Sequence, residues 1–212
     1  MEALANAGYL LMAPNHKDAI CNGGLFERPE QPFQNPGSWN DSTYKERGND
    51  ITRLVDAIRR DKQWGDLVDW SNVALAGHSL GGYTVLALSG GWSSWKLPAI
   101  KAVLALSPYC DPFLLKGNLG GLGVPVMYQG GTRDIGITPS LKKFGGCYSE
   151  TSRSAYLVEF RGAGHFAWTD LTSDHHDLIN EYSIAFFDKH LRGKSTADPA
   201  KQLPGVSDLR SK

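Results

Sequence analysis

The residue best suited to nucleophilic chemistry is a serine in a glycine-flanked turn. Ser79 occupies the centre of a Gly-x-Ser-x-Gly motif at 77–81, after an apolar run at 73–76 and before a helical pattern at 82–88. Where a strand turns sharply into a helix, the turn residue is strained and its side chain projects from the end of the sheet. The N–H of Leu80 would then point to the place where an oxyanion develops on an attacked carbonyl group. The motif therefore favours a catalytic serine over an ordinary glycine-rich turn.

A serine hydroxyl is a weak nucleophile and needs a general base, which is most often a histidine. Among the six histidines, His165 is the best candidate because it lies in a glycine-rich segment, 162–165, that follows the apolar run at 155–160. A loop at the end of a strand can bring such a side chain to the nucleophile. His78 lies inside the serine turn and is expected to point away from Ser79, so it is given no catalytic role.

The third member of such a site is a carboxylate that fixes the tautomer of the imidazole and stabilises its charged form. Asp134 is the first candidate, because it follows the apolar run at 125–128 within the segment 130–134. Asp111, which follows the apolar run at 103–106, is the alternative acid. A surface ion pair would be the ordinary role of either residue.

The elements that must position these residues follow an alternating pattern. Short continuous apolar runs, typical of strands buried on both faces, alternate with amphipathic stretches typical of helices. The pattern predicts an α/β fold with a mostly parallel central sheet and helices on both faces, in a single domain over 1–212. The polar residues 194–212 are expected to form a poorly ordered tail. The predicted strands lie at 9–13, 73–76, 103–106, 125–128 and 155–160, and the predicted helices at 47–63, 82–88 and 181–191.

Composition and charge argue against several classes of partner. Basic and acidic residues number 22 each, so there is no electrostatic footprint for nucleic acid or an anionic membrane. No apolar run reaches the length of about 18 residues that a membrane-spanning helix needs. The segment 1–8 lacks the basic start and the apolar stretch of a secretory signal. No cofactor is expected, and no metal, because no cysteine and histidine spacing suits zinc.

The cysteines are odd in number, so at least one thiol is free or pairs between chains. They are Cys21, Cys110 and Cys147. One disulfide would fit this number, and the sequence does not determine which pair would form it.

The segments named above resemble the α/β-hydrolase superfamily, in the branch of dienelactone-hydrolase-like and platelet-activating-factor-acetylhydrolase-like serine esterases. The stretch 77–82 looks like its nucleophile elbow, 130–134 and 164–165 look like its acid and base loops, and 187–193 looks like its closing helix. The order serine, aspartate, histidine also matches that of the superfamily. The resemblance implies a carboxylesterase that acts through an acyl-serine intermediate on a small-molecule ester. The serine argues against the cysteine-dependent lactone hydrolysis of dienelactone hydrolases proper.

Two alternatives stay open. Leaving-group preference resides in loops, so an amidase, peptidase or thioesterase on the same three residues is one of them. The other is a weakly active or non-catalytic fragment of a longer hydrolase, because the family has three strands before the counterpart of segment 5–16. The expected fold is therefore an α/β-hydrolase truncated at its N-terminus. In it the apolar run 9–13 pairs directly with 73–76, and the second oxyanion donor comes from 15–18.

The substrate-binding surface is expected to be open. The segment from 111 to 125 is too short for the helical lid that the family often inserts there. Three aromatic residues near the predicted nucleophile and base are candidates for an acyl pocket, although each also fits ordinary packing: Tyr83, Phe166 and Trp168. An open apolar cleft suits short- to medium-chain acyl groups. The sequence does not determine the oligomeric state. The resemblance is to relatives that include secreted proteins, which slightly favours secretion.

Overall fold

The computed structural model describes residues 2–19, 30–152 and 154–212. The chain divides into two compact units, Met1–Asp69 and Trp70–Lys212. A single domain over the whole chain stays a prediction. Within the described residues, no helix combines the length and the apolar character needed to cross a membrane.

The described residues of the first unit form two α-helices, α1 (Glu2–Asn6) and α2 (Lys45–Arg60). The helix predicted in this region is confirmed with slightly shifted bounds. A side-chain bond holds the segment around His16 against α2, since the Nδ1 atom of His16 lies 2.8 Å from the Oδ2 atom of Asp50. Trp39 is fully buried, so this unit has an apolar centre of its own.

A five-stranded sheet forms the centre of the second unit. Its strands lie side by side in the order in which they occur along the chain. The first four are parallel, and the last is antiparallel to the fourth. The predicted mostly parallel α/β sheet is therefore confirmed. The strands are β1 (Val73–His78), β2 (Ile100–Leu106), β3 (Val126–Gly131), β4 (Ala155–Phe160) and β5 (Val206–Ser211).

Helices pack against this sheet. Helix α3 contacts β1 and β2, α5 contacts β3 and β4, and α7 contacts β2. Every residue of β3 and β4 is buried, and successive side chains of a strand point to opposite faces. Both faces of the sheet are therefore covered at its centre. The helices of this unit are α3 (Leu80–Leu86), α4 (Asp111–Leu115), α5 (Thr138–Lys142), α6 (Cys147–Glu150) and α7 (His176–His190).

The expected pairing of segment 9–13 with β1 is wrong. Residues 9–13 form no strand, and β1 lies at one edge of the sheet as described, with β2 as its neighbour. The run is short, it stops at Pro14, and Leu10 and Met12 are exposed, so it lacks the burial that a strand inside the sheet would give it. A second oxyanion donor from 15–18 depended on that pairing and loses its basis.

The expectation of a poorly ordered tail over 194–212 is also corrected. Residues 206–211 form β5, which extends the sheet beside β4 with Leu157 opposite Arg210 and Val158 opposite Leu209. A strand at the edge of a sheet can keep polar side chains exposed to water. The polar sequence therefore does not predict a strand, and the backbone hydrogen bonds with β4 stabilise it.

Candidate active site

Ser79 lies at a strained turn between β1 and α3. Its φ of 53° and ψ of −115° place it in a region that residues with a Cβ atom rarely adopt. The turn is tied to the neighbouring strand, because the N–H of Ser79 donates to the carbonyl oxygen of Leu106 at 3.0 Å. The carbonyl oxygen of Ser79 accepts from the N–H of Tyr83 and of Tyr109. The backbone of the serine is therefore held on both sides.

Two glycines make this turn sterically feasible. A Cβ atom at Gly77 would lie 2.3 Å from the carbonyl oxygen of Gly81, and one at Gly82 would lie 2.4 Å from the Cβ atom of Pro108. Gly81 itself has open space around its Cα atom. Crowding therefore requires glycine at Gly77 and Gly82, whereas a Cβ atom at Gly81 would meet no atom within 4 Å.

His165 meets the serine from the loop that follows β4. Its Nε2 atom lies 2.9 Å from the Oγ atom of Ser79. The loop is bonded to the one that follows β3: the N–H of Arg133 donates to the carbonyl oxygen of Ala163 at 2.9 Å, and the N–H of Gly162 donates to the hydroxyl of Thr132 at 2.8 Å. The loops that follow β3 and β4 are therefore hydrogen-bonded to each other, and the second of them carries the imidazole.

Asp134 stands on the other side of the imidazole. Its Oδ2 atom lies 3.1 Å from the Nδ1 atom of His165, and the residue is only 4% exposed. The backbone at Asp134 begins a short turn, since the carbonyl oxygen of Asp134 accepts from the N–H of Thr138 at 3.0 Å. The alternative acid, Asp111, instead begins α4, so the geometry favours Asp134.

A second serine joins this group, and no sequence motif predicted it. Ser107 follows β2 directly and is fully buried. Its hydroxyl donates to the Oδ2 atom of Asp134, and its Oγ atom lies 3.0 Å from the Nδ1 atom of His165. The imidazole thus faces one serine at Nε2 and both a carboxylate and another serine at Nδ1.

His78 is partly exposed and contacts the loop that carries His165. Its Nε2 atom lies 2.7 Å from the carbonyl oxygen of His165, and the centres of the two rings are 4.9 Å apart. Burial lowers the pKa of His78 from its ordinary value of 6.5. A neutral His78 can donate its Nε2–H to that carbonyl oxygen.

The three predicted pocket residues have different surroundings. Tyr83 is fully buried and stacks on Phe113 at 4.9 Å; it belongs to the core, and its assignment to an acyl pocket is wrong. Phe166 is half exposed, with its ring edge-on to His165 at 5.4 Å. Trp168 lies beside His78 and donates its Nε1–H to the side chain of Gln129 at 2.9 Å. Phe166 is therefore the member of the three best placed to meet a substrate.

Leu80 is the first residue of α3. The N–H groups of the first helical turn have no acceptor within their own helix, and they carry the positive end of the helix dipole. The N–H of Leu80 is therefore suited to receive negative charge that develops beside Ser79.

A disulfide braces the loops that follow β2 and β3. It joins Cys110 to Cys147, which are 37 residues apart, and both are buried. Cys110 lies just after Ser107, and the loop closed by the bond contains Asp134. The remaining cysteine, Cys21, lies outside the described residues.

The arrangement as a whole can move a proton from a serine hydroxyl to an imidazole whose other nitrogen faces a buried carboxylate. Among the described residues, no group of three or more His, Cys, Asp or Glu side chains could hold a metal ion. No protein-family model matches the chain, and no curated protein matches it significantly.

Proposed function

We propose that this chain is a serine hydrolase of the α/β-hydrolase type, with Ser79 as nucleophile, His165 as general base and Asp134 as the acid that orients the base. The observation that carries the proposal is the continuous line of contacts, 2.9 Å from Ser79 Oγ to His165 Nε2 and 3.1 Å from His165 Nδ1 to Asp134 Oδ2. The strained backbone of Ser79 supports it, because strain of this kind is concentrated at functional sites.

Acylation follows from this geometry. The Oγ atom of Ser79 attacks the carbonyl carbon of the substrate, and its proton passes to the Nε2 atom of His165. Asp134 stabilises the imidazolium through Nδ1–H. The N–H of Leu80 stabilises the oxyanion, and one donor of this kind is worth about 10²- to 10³-fold in rate. When the tetrahedral intermediate collapses, His165 returns the proton to the leaving group.

Deacylation uses the same residues with water as the nucleophile. His165 accepts a proton from the water molecule, the hydroxide equivalent attacks the acyl carbon, and a second tetrahedral intermediate forms. The proton then returns to Ser79 as the acid product leaves. No cofactor takes part in either half of this cycle.

Within this class we infer a carboxylesterase acting on short- to medium-chain acyl esters. Between β2 and β3 the chain, described there without a gap, holds only α4 and one short 3₁₀ turn at Asn118–Gly121, which leaves no room for a helical lid. The half-exposed ring of Phe166 beside His165 offers apolar surface to an acyl group.

A fluorophosphonate probe and an ester substrate together test the proposed nucleophile. We expect the probe to label Ser79, and we expect Ser79→Ala to lower the turnover of p-nitrophenyl butyrate by about 10³-fold or more. Ser152→Ala is the matched control, because Ser152 is exposed and its hydroxyl donates to the carbonyl oxygen of Gly120. Equal turnover by the wild type and Ser79→Ala would refute the proposal.

A panel of one acyl group presented as ester, amide and thioester tests the substrate class. An esterase gives its highest kcat/KM with the ester, and its kcat/KM depends on the length of the acyl chain. A clear preference for the amide or the thioester would replace the esterase assignment while leaving the serine hydrolase in place.

A further inference from the structure

We infer that Ser107 is a positioning residue of this site, whose hydroxyl holds the Asp134 carboxylate and the His165 imidazole in the arrangement that leaves Nε2 free to act as a base. This inference rests on the proposed function, which supplies the role of that base. It goes further by giving a task to a residue outside the three that carry the reaction.

The position of Ser107 is fixed by the sheet. Its N–H donates to the carbonyl oxygen of Gln129 at 2.8 Å, which continues the pairing of β2 with β3 by one residue. The side chain is fully buried. Ser107 therefore lacks access to a substrate and acts only on its protein neighbours.

The available donors and acceptors determine where the protons of Ser107 and His165 lie. An ionised carboxylate only accepts hydrogen bonds, whereas a hydroxyl has one proton and two lone pairs. The hydroxyl of Ser107 therefore donates to Asp134 Oδ2, and its oxygen shares the Nδ1–H of His165 with that carboxylate, at 3.0 Å from Ser107 Oγ and 3.1 Å from Asp134 Oδ2. With the proton on Nδ1, the Nε2 atom that faces Ser79 carries a lone pair, which is the tautomer of a general base.

The backbone of Ser107 points to the same conclusion. Its φ of 42° lies in the left-handed region, which glycine adopts readily and residues with a Cβ atom do not. A glycine would relax this position but would lack the hydroxyl. The presence of serine at a strained position is therefore explained by what its Oγ atom does for Asp134 and His165.

A purely structural role would give a different outcome on substitution. If Ser107 served only to satisfy a buried carboxylate, its loss would lower stability and leave the imidazole unchanged. Ser107→Gly separates the two roles, because relief of the strained backbone offsets the stability lost with the hydroxyl, while the loss of the hydroxyl at the imidazole is not offset. Ser89→Ala is the matched control: Ser89 is also buried, and its hydroxyl donates at 2.6 Å to the carbonyl oxygen of Val85, near the end of α3.

The test measures ester turnover, thermal unfolding and the proton resonance of His165 Nδ1–H in the full chain. For Ser107→Gly we expect kcat to fall about 10- to 100-fold, the worth of a hydrogen bond to a charged group, with KM nearly unchanged. We also expect a shifted, faster-exchanging Nδ1–H resonance and no loss of thermal stability. Ser89→Ala should retain the wild-type kcat and resonance.

A Ser107→Gly variant with the wild-type Nδ1–H resonance would overturn the inference, as would one with the wild-type kcat in an active protein. If the wild type hydrolyses no ester, the proposed function fails separately, and the His165 resonance still determines whether Ser107 holds the imidazole.

Discussion

The Nε2 atom of His78 lies 2.7 Å from the carbonyl oxygen of His165, across 87 residues of sequence. A carbonyl oxygen only accepts hydrogen bonds, so His78 must carry a proton on Nε2. The residue that precedes the nucleophile is thus bonded directly to the backbone of the base. This bond couples the serine turn to the histidine loop without involving either reacting side chain.

Loss of this bond is expected to lower activity, because the base loop is then less firmly held against the serine turn. We predict that His78→Ala reduces kcat about 2- to 10-fold, which is the worth of one neutral hydrogen bond. His78→Gln should retain more activity, since an amide N–H can reach the same carbonyl oxygen. Steady-state kinetics on p-nitrophenyl butyrate measures both.

The chain offers a matched control for this experiment. His175 also lies 3.0 Å, through Nε2, from a backbone carbonyl oxygen, but that of Arg161 at the start of the base loop rather than that of the base itself. His175→Ala should keep the wild-type kcat. If His78→Ala and His78→Gln were equally active, the hydrogen bond of His78 would have no part in holding the base.

The sequence predicts those candidate site residues that belong to a motif directly after a parallel strand. Ser79, Asp134 and His165 each follow an apolar run, and the carboxyl ends of parallel strands meet at one edge of a sheet. Ser107 follows β2 in the same way, yet a serine after a strand belongs to no motif. Only the tertiary arrangement gives it two polar partners and full burial. For Tyr83 the proximity in sequence was misleading, because α3 turns its ring into the core.

The strands of the sheet could likewise be predicted only where the local sequence shows their burial. The strand predicted at 155–160 has the observed bounds of β4, since a strand buried on both faces has a continuous apolar sequence. The run at 9–13 has a similar sequence but no partner strand, and local sequence does not reveal a partner. For β5 the opposite holds: its sequence is polar, and its stability comes from pairing with β4, some 50 residues earlier.

Acid is expected to destabilise the folded chain through two partly buried histidines. Burial lowers the pKa values of His78 and His190 below 6.5, so between the folded pKa and 6.5 the unfolded state binds more protons. The stabilisation is therefore fully present above pH 6.5 and is lost as the pH falls through that window. Thermal unfolding between about pH 7.5 and about pH 5 measures this loss.

A substitution at His190 tests this cause without touching the site. The ring of His190 lies 4.9 Å from that of Phe186 and 5.6 Å from that of Tyr156, so phenylalanine suits its surroundings. His190→Phe should show a smaller fall in melting temperature on acidification than the wild type. The same fall in both proteins would exclude burial of His190 as a contributor.

Removal of the disulfide is expected to cost stability because its loop is long. Closing a loop of 37 residues lowers the entropy of the unfolded chain by an amount worth about 4 kcal/mol at 25 °C. For a chain of this size, we expect the Cys110→Ala/Cys147→Ala double variant to melt roughly 8 to 15 °C below the wild type. Differential scanning calorimetry at neutral pH measures the difference.

Reductant provides the control for this last prediction, because it acts only where a disulfide exists. Dithiothreitol should lower the melting temperature of the wild type towards that of the double variant and leave the double variant unchanged. The loop held by the bond carries Asp134, so ester turnover should also decline at temperatures well below the wild-type transition. A double variant that melts at the wild-type temperature would show that contacts of the folded chain, rather than the covalent link, stabilise this loop.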